Sequence, residues 1–171
     1  MAEGLHREIE FKYLIRRPEE ATLEGLPGCE VWRIEQTYLT EGEGDETRRV
    51  RKVVSGGATR YFRTFKRFID RMSSAEDEAE IDREAYEALL DERDPESSPI
   101  LKTRYRVPYG GHVLEFDIYP FWSDRAVLEI ELEREDEVPA IPEWVRIIRD
   151  VTGEPTYKNR MLARHVPMDE I

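Results

Sequence analysis

Glu8, Glu10 and Lys12 stand at every second position of the stretch HREIEFKYLI. At that spacing two carboxylates and an ammonium share one face of a β-strand, with Ile9, Phe11 and Tyr13 on the other. The pattern recurs along the chain. Arg49 and Arg51 share a face, as do Lys102, Arg104 and Arg106. Glu115 and Asp117 oppose Leu114, Phe116 and Ile118, and Glu129, Glu131 and Glu133 oppose Leu128, Ile130 and Leu132. One such strand reads as an ordinary surface strand, apolar side in and charged side in water. Five are different, because the charged faces are nearly pure by sign: acidic at 115–117 and 129–133, basic at 49–51 and 102–106. Rows of like charge are costly unless a ligand of opposite sign compensates them. A closed sheet with its apolar face outward would turn these rows into the walls of a polar channel. Carboxylates hold hard cations such as Mg2+ or Mn2+ through oxygen. Arginine and lysine hold phosphate oxygens, arginine often bidentately. Such a channel suits a polyanion carried with a divalent metal, and phosphoryl transfer needs both sets of groups.

The elements that must position these residues are mostly strands. Strands are expected over 8–15, 29–40, 47–54, 59–68, 77–82, 100–108, 111–119 and 126–134, with SGGA and the glycine pair 110–111 turning two hairpins. EGEGDE is a turn. Short helices are expected over 16–24, over REAYEALLDERD until Pro95, over 142–149 from Pro142, and over 159–165. Antiparallel hairpins dominate, so the expected class is α+β, an eight-stranded antiparallel β-barrel with short surrounding helices, forming a single domain over 1–171.

Composition narrows the function. The formal net charge of −12 argues against nonspecific binding to nucleic acid or to anionic membranes. No apolar run approaches the ~20 residues that cross a bilayer, and the N-terminus lacks a signal peptide's layout. The single cysteine, Cys29, excludes an internal disulfide and suits a reducing cytoplasm. His6, His112 and His165 have no spacing for zinc. Nothing in the sequence specifies an oligomeric state.

EIEFKYLI resembles the Glu-x-Glu-x-Lys signature of the CYTH superfamily, the triphosphate tunnel metalloenzymes, most of all its bacterial inorganic triphosphatases. EQTYL, RRVR, YFRTFKR, EAEIDREAYEALL, ILKTRYRV, LEFDIY, LEIELE and YKNRMLA resemble that family's later motifs in order, over roughly residues 8–165. The resemblance implies a tunnel that binds a triphosphate with Mg2+ or Mn2+. It assigns Glu8, Glu10, Asp117, Glu129 and Glu131 to the metal, with Glu115 close by. It assigns Lys12, Arg49, Arg51, Lys66, Lys102 and Arg104 to the phosphates, and places Glu78, Glu80 and Lys66 among the catalytic residues. In YFRTFKRF alternation alone does not choose between Lys66 and the pair Arg63 and Arg67; the resemblance selects Lys66. Arg106 would lie at the tunnel mouth, and Lys158 and Arg160 on a C-terminal segment that closes one end.

The implied reaction is metal-dependent hydrolysis of tripolyphosphate to pyrophosphate and phosphate, with no covalent nucleophile. Class IV adenylate cyclase and thiamine triphosphatase are the alternatives within the family; Trp32, Trp122 and Trp144 are the aromatics available for stacking a base or thiazolium. A noncatalytic sensor of polyphosphate or nucleotide is the alternative outside it.

Overall fold

The computed structural model describes residues 5–42, 44 and 46–171. Of the turn expected over 41–46, Glu43 and Asp45 lie outside the described residues. Nine strands run as β1 (Leu5–Arg16), β2 (Glu30–Tyr38), β3 (Thr47–Ser55), β4 (Ala58–Phe68), β5 (Ser73–Ile81), β6 (Ile100–Tyr109), β7 (His112–Ile118), β8 (Arg125–Leu132) and β9 (Ile147–Asp150). The spatial order is β5-β4-β3-β2-β6-β7-β8-β1, every pair antiparallel, and β1 also pairs with β5, so eight strands close into a barrel. The β3–β4 and β6–β7 hairpins each turn on two glycines with positive φ: 59° and 79° at Gly56 and Gly57, 59° and 84° at Gly110 and Gly111. That geometry matches the right-handed strand twist and excludes most other residues.

The barrel is inside out relative to an ordinary sheet. Its outer face carries Ile9, Leu114, Phe116, Leu128 and Ile130, all buried under α1 (Glu20–Glu24, through Leu23) and the passage containing Ile141 and Val145. On the other side α2 (Arg83–Leu89) lays Tyr86 on Leu39 and Val50. Asp82 starts α2 by accepting from the Ala85 amide at 2.8 Å. The inner face is apolar at one end only. There Leu14, Ile100, Tyr119 and Val127 meet Trp122, Tyr157 and Leu162, the last on α3 (Asn159–Leu162). The tail is tied across this plug by Trp122 Nε1 donating to the Pro167 carbonyl at 2.9 Å and Arg125 Nη2 to the Asp169 carbonyl at 2.6 Å.

Four expectations change. The residues expected as a helix over 142–149 form β9 at their end, because β1 loses β5 after Ile9 and its edge from Tyr13 onward needs a new partner; the β-branched pair Ile147 and Ile148 suits that edge. The helix expected over 159–165 is a single turn, and the one over 83–94 gives way to a 3₁₀ turn at Leu90–Glu92. The strand expected over 77–82 begins four residues earlier, at Ser73, because the β4–β5 pairing extends to Phe68↔Ser74.

Candidate active site

The polar inner face encloses a cavity of about 600 Å³. The register explains its composition. Glu8, Glu10 and Lys12 alternate inward from β1, and Lys12 lies opposite Glu129 on β8. Arg104 on β6 lies opposite Asp117 on β7, and Arg49 on β3 opposite Thr64 on β4. Of the residues singled out in the sequence, Glu8, Glu10, Lys12, Arg49, Arg51, Lys66, Glu78, Lys102, Arg104, Glu129 and Glu131 line this cavity.

Glu80 and Asp117 do not. Glu80 sits at the exposed end of β5 and accepts from Arg60 Nε at 3.1 Å, so the structure does not bring it to the catalytic group. Asp117 has the inward parity but is fully buried behind the lining. It takes Lys102 Nζ at 2.8 Å and Arg104 Nε and Nη2 at 2.7 and 2.9 Å, so both its oxygens are engaged by two cations. Lys66 lines the cavity, whereas Arg63 is turned to Asp77 at 3.6 Å and Arg67 is exposed.

Two ionic clusters divide the tunnel. In the first, Arg104 Nη2 also donates to Glu129 at 3.1 Å, and Lys12 Nζ lies 3.3 Å from the same carboxylate. Burial pushes Glu129 up, but Lys12 and Arg104 outweigh it and hold the carboxyl well below the usual range. Burial drives the Lys102 ammonium down to about 8 against the pull of Asp117. The second cluster is short of positive charge. Lys66 donates to Glu8 at 2.9 Å and lies 3.8 Å from Glu76. Burial and the hydrogen bond to Glu8 push Glu76 up to about 9, so it keeps its proton. Among the described residues Glu10 has no ion-pair partner; burial and repulsion from Glu129 and Glu8 push it up to about 8.

The basic wall has spare capacity. Arg51 Nη2 donates to Glu78 at 3.2 Å, and Thr64 Oγ1 donates to the other oxygen of Glu78 at 3.2 Å. Burial, with Arg49 alongside, brings the Arg51 guanidinium down to about 10. The Nε atoms of Arg49 and Arg51 are buried with no hydrogen-bond partner among the described residues. At the open mouth Arg106 stacks on Trp32, 4.5 Å from the ring centroid. Trp122 belongs to the apolar plug, and Trp144 stacks on Phe116 outside the barrel. At the other end Lys158 and Arg160 line the cavity, and Arg160 pairs with Glu41.

Sequence reasoning missed Glu76, Gln36 and Tyr38, which also line the cavity. Gln36 is fully buried and donates from Nε2 to Tyr38 Oη at 2.7 Å. Glu76 has the parity of Glu78, and Gln36 and Tyr38 that of Trp32; the signal was present once the strand limits were right.

Among the described residues no group of three or more His, Cys, Asp or Glu side chains is already drawn together to hold a metal. The donor chemistry nevertheless fits one. Burial and neighbouring carboxylates leave Glu10 and Glu76 protonated, and among the described residues Glu76 Oε2 is buried without a hydrogen-bond partner. Such carboxyls exchange a proton for a hard divalent ion.

No protein-family model matches the chain. It is 30% identical over 165 residues to an inorganic triphosphatase of Nitrosomonas europaea, spanning 94% of this chain and 99% of that protein. A crystal structure of an inorganic triphosphatase is 27% identical over 94% of this chain and 97% of its own, with a TM-score of 0.56. A protein from Pyrococcus horikoshii OT3 shares the fold at 22% identity, covering 77% of this chain and 82% of its own, with a TM-score of 0.58.

Proposed function

The chain belongs to the CYTH superfamily, the triphosphate tunnel metalloenzymes, and from that membership we propose that it hydrolyses inorganic tripolyphosphate to pyrophosphate and phosphate with Mg2+ or Mn2+. The observation that carries the reading is one cavity of about 600 Å³ lined both by arginines with unpartnered Nε donors and by carboxyls that burial and mutual repulsion keep protonated. A polyanion with its metal supplies both deficits at once.

Glu8, Glu10 and Glu76, flanked by Glu129 and Glu131, would hold the metal ion, which supplies charge neutralisation on phosphate oxygens when bound. Arg49 and Arg51 bind the phosphate chain through their guanidinium groups, whose Nε donors have no partner among the described residues, with Lys66 and Lys12 beside them. Lys102 and Arg104, fixed by Asp117, neutralise charge that grows in the transition state. Glu78, kept ionised by Arg51 and Thr64 against its burial, orients water and takes its proton. The water oxygen bonds to a terminal phosphorus as the bridging P–O bond breaks, and pyrophosphate leaves with the electron pair. The apolar plug keeps bulk water from that end of the tunnel. No described helix is long and apolar enough to cross a membrane; a cytoplasmic setting is part of the proposal, on the strength of the lone cysteine.

The test is phosphate release from tripolyphosphate, ATP and thiamine triphosphate with Mg2+ or Mn2+, with cyclic AMP measured in the ATP reaction. Tripolyphosphate should show the highest kcat/KM. Cyclic AMP formation would make the protein a cyclase, and tight binding of all three without turnover would make it a sensor.

A further inference from the structure

The Glu8–Lys12 strand carries three groups of the site, and part of its edge has no strand beside it. β1 pairs with β5 from Leu5 to Ile9 and with β9 from Tyr13 to Ile15. Glu10, Phe11 and Lys12 fall in the gap. The side chains that point into the tunnel belong to the residues whose amides point to this edge. The Glu10 amide is taken by the Met72 carbonyl at 3.0 Å. The Lys12 amide meets no backbone; it donates to the hydroxyl of Thr152 at 2.9 Å. The same hydroxyl donates to the Lys12 carbonyl at 3.3 Å, beside the Val151 amide at 2.9 Å. A hydroxyl both donates and accepts, so one side chain does what a neighbouring strand residue would do with two backbone groups.

Thr152 is itself held. Its amide donates to Asp150 Oδ1 at 2.8 Å, and Asp150 Oδ2 takes Arg71 at 3.0 Å. Gly153 follows with φ 75°, where a Cβ would stand 2.6 Å from the Arg71 carbonyl oxygen. The segment is therefore pressed against the β4–β5 turn as closely as glycine allows. A few residues on, the Tyr157 carbonyl accepts from Lys12 Nζ at 3.4 Å, so the same segment meets Lys12 at its backbone and at its ammonium.

We propose that Thr152 is a positioning residue of the tunnel: its hydroxyl bridges the gap between β5 and β9 and sets where the Lys12 ammonium stands. Thr152 does not line the cavity, so it acts through Lys12. The inference rests on the reading that Lys12 contacts the phosphate chain.

Steady-state hydrolysis of tripolyphosphate by the whole chain tests it, using Thr152→Val and Thr152→Ser, each alone and combined with Lys12→Ala. Thr152→Val removes the hydroxyl at nearly constant size and should lower kcat/KM by about 10- to 100-fold, the scale of an ångström-level misplacement. Thr152→Ser keeps the hydroxyl and should stay within about threefold of wild type. In the Lys12→Ala background the Val change should cost less than about twofold, because the group it positions is gone. Wild-type kinetics in Thr152→Val, or a full additional loss on top of Lys12→Ala, overturns the proposal. If Thr152→Val does not fold, Thr152→Ala against Thr152→Ser makes the same comparison. If the wild-type chain hydrolyses no triphosphate, the function proposed above fails. The same variants then decide the present point by calorimetric affinity for tripolyphosphate, with the same order expected.

Discussion

Asp117→Asn separates two roles for one carboxylate, metal ligand and buried counter-ion. The side chains of Asp117, Lys102 and Arg104 are 0%, 1% and 9% exposed, so solvent screens little of their interaction. Asparagine keeps an acceptor for Arg104 Nε but sets an NH2 group against Lys102 Nζ and Arg104 Nη2, which now donate to Oδ2 at 2.8 and 2.9 Å. Removing one partner from a buried ion pair costs about 3–5 kcal/mol. Arg104 retains Glu129 at 3.1 Å and Glu115 at 3.4 Å, so the lower end, about 3 kcal/mol, applies. For a domain of this size that lowers Tm by roughly 6–12 °C. The assay is thermal unfolding followed by circular dichroism at pH 7 without divalent metal, beside calorimetric Mg2+ affinity. Loss of stability with Mg2+ affinity nearly kept is the expected pair. A Tm within about 2 °C of wild type together with weakened Mg2+ binding would refute the counter-ion argument and restore the ligand role.

Glu10→Gln should raise metal-free stability at pH 7 yet abolish metal-dependent turnover, since Glu10, pushed up to about 8, must take up a proton on folding that its ionised unfolded carboxyl lacks, and glutamine need not; unfolding midpoints and phosphate release check both halves. Because its folded pKa lies above its unfolded value, Glu10 contributes stability that is full below about 4.5 and lost as pH rises through about 8. Urea midpoints of the metal-free wild type should fall across that window, and Glu10→Gln should flatten the fall. Mg2+ binding at pH 7 should release protons from Glu10 and Glu76, read as a dependence of calorimetric heat on buffer ionisation enthalpy; no dependence would remove both from the metal site. Arg49 is half-buried, and the cost of its desolvation is outweighed by Tyr38, Glu76, Glu8 and Glu78 around it, so Arg49→Ala should lower Tm while weakening tripolyphosphate affinity by roughly 10-fold or more; an unchanged or raised Tm would contradict it.

How much was legible follows from what period-two alternation measures. It assigns each residue a face, and single-sign rows of charge opposite Leu, Ile and Phe already implied a sheet enclosing its ionic side. Glycine pairs placed the β3–β4 and β6–β7 turns for the same local reason. Alternation does not measure height along the barrel. Glu76, Glu78 and Glu80 have one parity, but tilt and stagger put Glu76 beside Glu8 and leave Glu80 outside with Arg60. Lys66 and Arg63 differ in face, and only the pairing of β4 with β3 and β5 told which face was inner.

The sequence by itself determined which residues could share a wall, because strand geometry is local. Tertiary structure alone decided which walls meet. Asp117 became a counter-ion because Lys102 and Arg104 arrive from the neighbouring strand, and residues 147–150 became a strand because β1, parting from β5, left an edge whose amides and carbonyls needed partners.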